Sequence, residues 1–184
     1  MRISDAQQDL RRAYVGGGPG VMISGIVWLV ATWVQHTQGV AAGFAALFFG
    51  GMLIFPLTKL ICRAVFRRPN ESSRNPFGMT VLECTIAMLG GFFAAWLFLA
   101  HEPALVFPLA AIAVGTHYFV FRTAYGNRLF WLLGAVVTAI GFGDIYIPQM
   151  SGLTALLVSV TELVFGLALT IRSTGADEAS ATAV

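Results

Sequence analysis

The sequence predicts an all-α integral membrane protein of six transmembrane helices, arranged as three antiparallel hairpins with both termini on the cytoplasmic side. Three observations predict it. The chain is 57% hydrophobic and 11% charged, with a mean hydropathy of +0.78, too apolar and charge-poor for the solvated surface of a soluble domain. Six apolar runs have the length of a membrane span, and all eleven Lys and Arg fall at one set of span ends.

A helix needs about 20 apolar residues to cross a hydrocarbon core about 30 Å thick. Segments near 15–35, 39–61, 79–100, 103–121, 128–148 and 151–171 qualify. The first run follows Arg11 and Arg12, as the apolar part of a signal peptide would. It has the length of a full span and lacks a small-x-small cleavage site, so it reads as a helix. Before it, residues 1–14 form a cytoplasmic amphipathic segment, which Gly16-Gly17-Gly18-Pro19-Gly20 separates from span one, with Pro19 near the helix start. That glycine run lacks the Lys-Ser/Thr of a phosphate loop. Very short connections within the pairs 1–2, 3–4 and 5–6 make each pair a hairpin. The polar stretch 67–76, with Pro69 and Pro76, is a connector, and Asn75-Pro76 starts span three. Residues 15–172 are the transmembrane domain, and 173–184 are a small, polar tail expected to be disordered in the cytoplasm.

Orientation follows from the basic residues. Arg2, Arg11 and Arg12 precede span one; Lys59, Arg63, Arg67, Arg68 and Arg74 lie between spans two and three; Arg122 and Arg128 lie between four and five; Arg172 follows six. The opposite loops, around Thr37, Glu102 and Gln149, carry neither Lys nor Arg. This is the positive-inside pattern without an exception. The basic pI reflects that pattern and not a nucleic-acid surface, and no nucleic-acid partner is expected. A shift of 63 positions superposes Trp33 on Trp96, Ala31 on Ala94, Phe44 on Phe107 and Lys59 on Arg122, which reads either as a hairpin repeat or as coincidence in an apolar chain.

Ionisable residues inside spans are expensive and are functional candidates by default. Glu162 lies mid-depth in span six, and hairpin geometry sets it opposite Val137 and Thr138, with no cation at that level. It reads either as a proton-coupling or cation site, or as a neutral acid bonded to a neighbouring helix. Glu83 comes level with Phe121 and Arg122, and a structural Glu83–Arg122 ion pair is expected. His117, with Glu83, Arg122 and Tyr118, is placed to form a polar cluster opening to the cytoplasm, where a histidine can switch charge; alternatively it only bonds a neighbour. Asp144 sits near the outer end of span five just after Gly141 and Gly143, which loosen the helix, or simply marks an exposed helix end. His36, His101 and His117 are too dispersed for a metal triad, no Ser/His/Asp set is brought together by spacing, and no cofactor motif is present in the sequence. Cys62 and Cys84, near cytoplasmic ends, read as reduced packing residues. Gly39-xxx-Gly43, Ala42, Ala46, Gly50, Gly90, Gly91, Ala94 and Gly134 offer small surfaces for helix packing within a chain or in a homo-oligomer.

Arg11-Arg12-Ala13-Tyr14 followed by glycines, Phe48 to Lys59 ending in Phe55-Pro56-Leu57-Thr58-Lys59, Asn75-Pro76-Phe77-Gly78 and Gly115-Thr116-His117-Tyr118-Phe119 together carry a resemblance. They resemble an uncharacterised bacterial six-transmembrane-helix family, a domain of unknown function, over nearly all of the chain except the tail. The resemblance implies a bacterial inner-membrane location, directs attention to His117 and Asn75, and brings no activity. The first functional reading is a small transporter or channel built on a midplane titratable Glu162, with two other classes as alternatives. A small transporter or channel, passing a solute or ion, requires a polar cavity touching Glu162. A non-transporting sensor, lipid-binding or partner-stabilising subunit requires a dry, internally paired core. An enzyme, the least supported, requires two or more of His117, Glu83, Asp144 and Tyr118 in one cleft.

Reporter fusions after residues 36, 70, 102, 125, 150 and 184 should alternate, with 70, 125 and 184 cytoplasmic. A basic loop reporting from the far side of the membrane would overturn the orientation.

Overall fold

A computed structural model describes residues 1–147, 150 and 152–182, with the backbone alone for 176–182; Gln149, expected in the third outer loop, lies outside the described residues. The chain is all-helical: α1 (Ile3–Ala13), α2 (Gly18–Gln38), α3 (Val40–Ala64), α4 (Pro76–Leu97), α5 (Val106–Tyr125), α6 (Leu129–Tyr146) and α7 (Thr154–Thr182), joined by short turns. Among the described residues there is no strand. Six helices are long and apolar enough to cross a membrane, Val15–Gln38, Val40–Ala64, Pro76–Ala100, Pro103–Tyr125, Leu129–Tyr146 and Thr154–Gly175.

Local chemistry sets the boundaries. Gly16 (φ 64°) and Gly17 (φ 83°) adopt the left-handed region that side chains avoid, separating α1 from α2. Gly39 at φ 93° ends α2, and Gly126 at φ 63° ends α5 as a left-handed C-terminal residue. Asn75 accepts a hydrogen bond from Phe77 N at 3.0 Å, and Pro76, which has no N–H to satisfy, begins α4 where the Asn75-Pro76 signal puts it, ahead of the apolar run. The backbone of α7 stays helical to Thr182, through residues the sequence reading leaves without structure. Alanines and a glutamate there are strong helix formers that extend a helix already nucleated.

Burial ranks the helices. In Val15–Gln38, 67% of the apolar stretch is buried and in Pro103–Tyr125 50%, against 17% in Val40–Ala64 and 11% in Pro76–Ala100. So α2 and α5 form the centre, flanked by α7 and α6, while α3 and α4 turn most of their surface outward. Phe92 of α4 bridges to Phe44 and Phe48 of α3, with ring centroids 5.8 and 6.4 Å apart.

The closest backbone approaches are α2 to α7 and α5 to α6. A Cβ on Gly166 would lie 2.7 Å from Met22 N and 3.0 Å from Gly18 O, and one on Gly25 would lie 3.0 Å from Leu163 N. At the other interface, a Cβ on Gly134 would meet Gly115 O at 2.7 Å and one on Gly141 would meet Pro108 O at 2.6 Å. Residue numbers rise along one helix as they fall along its neighbour. Of the glycines picked out from sequence, Gly43, Gly50, Gly91 and Gly134 are closely covered, whereas Gly39 and Gly90 face open space.

Because backbone cannot yield as a side chain can, Gly166→Val should destabilise the detergent-solubilised protein by about 1–3 kcal/mol, read as a lower thermal midpoint. Gly51→Ala, whose added Cβ meets nothing within 4 Å, should be neutral or stabilising by up to about 1 kcal/mol. Equal midpoints for the two variants would refute this packing.

Candidate functional site: a carboxyl where three helices meet

The six candidate residues divide into one buried group and four separate positions. Glu162 of α7 is completely buried, and Tyr118 of α5 donates its hydroxyl to Glu162 Oε1 at 2.7 Å. The Ser24 hydroxyl of α2 lies beside both the phenol and the carboxyl. One turn away on α7, Ser159 donates to Gly25 O of α2 at 2.8 Å. The partners of Glu162 thus come from spans one and four, not from Val137 and Thr138 of span five as hairpin geometry expects. The reason lies in the packing: glycine-mediated approach draws α7 against α2, so its polar face turns to the bundle centre.

Glu162 Oε2 has no hydrogen-bond partner of ordinary length, and the same holds for Thr138 Oγ1 and His117 Nδ1. Unpaired buried polar atoms are uncommon enough to ask for a reason. The cluster itself is a carboxyl tied to three helices by two hydroxyls, with no second acid touching it among the described residues.

The cytoplasm-facing cluster expected of His117, Glu83, Arg122 and Tyr118 does not form. Tyr118 turns inward to Glu162, and the His117 ring packs on Phe121 at 4.6 Å and on Tyr118 at 5.5 Å. Nor does the expected Glu83–Arg122 ion pair form among the described residues. Glu83 is exposed on α4, and the Arg122 guanidinium lies over the Trp131 ring of α6, 5.0 Å from its centroid. Cation–π contact of that kind competes well with a solvent-side ion pair, which contributes little. Asp144 accepts a hydrogen bond from buried Thr154 and so joins the end of α6 to the start of α7, where an acid also suits the helix dipole. These four candidates do not converge on one cleft.

A second polar assembly went unread in the sequence. At the arginine-rich end, Gln7 Nε2 donates to Thr123 O (2.8 Å) and Arg11 Nη1 to Tyr125 O (2.6 Å), satisfying the last carbonyls of α5. Asp9 Oδ2 accepts from Ser72 N (2.9 Å) and from Asn75 Nδ2 (3.0 Å), which also donates to Ala6 O (2.9 Å). Asn75 therefore caps α4 and clamps α1 at once. Beneath α1 is a cavity of about 10 Å³, room for roughly one water, lined by Tyr14, Lys59, Cys62 and Glu71 among others. Burial first, and then the nearby Glu71 charge, push the Tyr14 hydroxyl far above its ordinary range. Cys62 and Cys84 are both free. Among the described residues, no group of three His, Cys, Asp or Glu is placed to hold a metal ion.

Residues 3–172 match DUF7010, a family of unknown function. The chain belongs to that family. No curated protein and no solved structure matches it. The DUF7010 match takes in α1 as well as the six long helices, so the clamp and the buried carboxyl both lie within the family region.

Removing the phenol hydroxyl leaves Glu162 Oε1 without its donor. Tyr118→Phe should lower stability by about 0.6–1.7 kcal/mol, the scale of an interhelical hydrogen bond in a membrane. Unchanged thermal unfolding in detergent micelles would show that the bond contributes nothing.

Proposed function

We propose that the protein is a non-transporting membrane protein, a lipid-binding or partner-stabilising subunit whose polar core is a structural tie. The observation that supports this most directly is the complete burial of Glu162 with Tyr118 and Ser24 beside it, a cluster that joins helices from the beginning, middle and end of the chain. A conducting site needs its titratable group open to an aqueous path. Among the described residues, neither the small cavity at Tyr14 nor the outward hollow beside Trp131 has Glu162 in its lining. In this reading the helices sit in the inner membrane of a bacterium with the arginine-rich end in the cytoplasm, and the outward faces of α3 and α4 are covered by lipid or by a second copy. The positive-inside distribution and the family resemblance support that placement.

A small transporter or channel is the second reading. The unpaired Oε2 of Glu162 favours it, because that oxygen is a free position for a proton or a cation in an otherwise bonded cluster.

Reconstituted into vesicles loaded with a pH-sensitive dye, the wild type should pass no more protons than empty vesicles. Glu162→Gln should leave that baseline alone and change thermal stability by about 1 kcal/mol. A pH-dependent flux in the wild type that Glu162→Gln abolishes would establish transport and end the structural reading.

A further inference from the structure

The outward face between α5 and α6 carries a broad, shallow, open groove lined by Phe119, Arg128, Trp131, Leu132 and Ala135. Its charged end lies on the arginine-rich side of the bundle. Arg128 stands immediately before α6, and Arg122, in the last turn of α5, extends over the Trp131 ring. Neither guanidinium has an ion pair among the described residues. From there the groove runs along α6 over Leu132 to Ala135, apolar throughout, with Phe119 as its opposite wall. The seven residue steps from Arg128 to Ala135 rise about 10 Å along the helix.

We infer that this groove binds an anionic phospholipid, its phosphate between Arg122 and Arg128 and one acyl chain along Phe119, Leu132 and Ala135. Three features select that occupant. Two unpaired cations call for an anion, and guanidinium groups match phosphate oxygens with paired N–H donors. The remaining lining is hydrocarbon, which suits an acyl chain and offers a soluble phosphate nothing. Trp131, 52% exposed, stands at the level where an amphipathic ring meets both headgroup and chain, and its contact with Arg122 holds that guanidinium at the rim. Basic pockets between transmembrane helices are a recognised means of gathering anionic headgroups. The inference holds whether the core around Glu162 is sealed or conducts, so its failure and the failure of the proposed function are separable.

The test uses the full chain in phosphatidylcholine vesicles containing a minor fraction of acyl-brominated phosphatidylglycerol or acyl-brominated phosphatidylcholine. Bromine quenches a tryptophan in contact with the chain that carries it. Trp33→Phe and Trp96→Phe leave Trp131 as the only outward tryptophan, since Trp28 is buried. Brominated phosphatidylglycerol should displace phosphatidylcholine from Trp131 with a relative affinity of about fivefold or more, the effect of one cation at an anionic membrane surface. Arg122→Gln with Arg128→Gln should bring the ratio to near one. Arg122→Lys with Arg128→Lys should retain most of the preference, and helical circular dichroism checks that each variant folds. Equal quenching by the two lipids in the wild type, or an undiminished preference in the glutamine pair, would overturn the site. So would loss of the preference on adding millimolar inorganic phosphate at constant ionic strength, because the groove would then be a plain anion site.

Discussion

Helix faces surrounded by lipid gain nothing from hiding apolar side chains from one another, so a bundle in a membrane depends on how closely its backbones approach. Here two interfaces carry the closest approach, Gly18 of α2 against Gly166 of α7 with Gly25 against Leu163, and Gly115 of α5 against Gly134 of α6. At such separations dispersion contacts are dense, and short polar side chains reach across. Ser159 bonds a backbone carbonyl of α2, and Tyr118 reaches Glu162, because the helices are already near. Remove the close approach and the polar tie has no geometry in which to form.

The six spans were legible because a bilayer imposes a length and a polarity that any membrane helix must meet, and both are properties of the sequence. Helix ends were legible where a cap residue marked them, as at Asn75-Pro76. Spans one and two, and spans three and four, do pack as the hairpins predict; what the sequence concealed was which helices meet across the hairpins. Consecutive spans joined by short turns suggested pairing of span five with span six, whereas α7 packs most closely on α2, and α6 on α5. Gly18, Gly25 and Gly166, which decide this, looked no different from the other glycines of an apolar chain. Glu162 was found by its cost alone, and its partners were missed for the same reason. One signal was present: Ser24 lies nine residues after Val15 and Glu162 ten before Arg172, so both stand at one depth below the basic end. Depth matching across distant spans would have paired them.

The basic end shows a different economy of charge. Arginine serves there in three ways: bonding the Tyr125 carbonyl of α5 from Arg11, lying over the Trp131 ring from Arg122, and pairing with Asp5 and Asp9 from Arg2 and Arg12. The expectation that Glu83 would neutralise Arg122 assumed that oppositely charged groups at one level find each other. Level is not azimuth, and Arg122 turns toward α6 while Glu83 is exposed on α4.

The α2–α7 contact also has a history in time. Ser159 and the Gly25 carbonyl that it bonds are 134 positions apart, and at about 5–20 residues per second their synthesis is separated by roughly 7–27 seconds. Through that interval α2, the most buried helix of the finished bundle, waits in the bilayer with its glycine face uncovered. The clamp on α1 waits too, since Asn75, Thr123 and Tyr125 follow it from the ribosome. The first span inserted is completed by the last, and a chain interrupted before α7 has no centre.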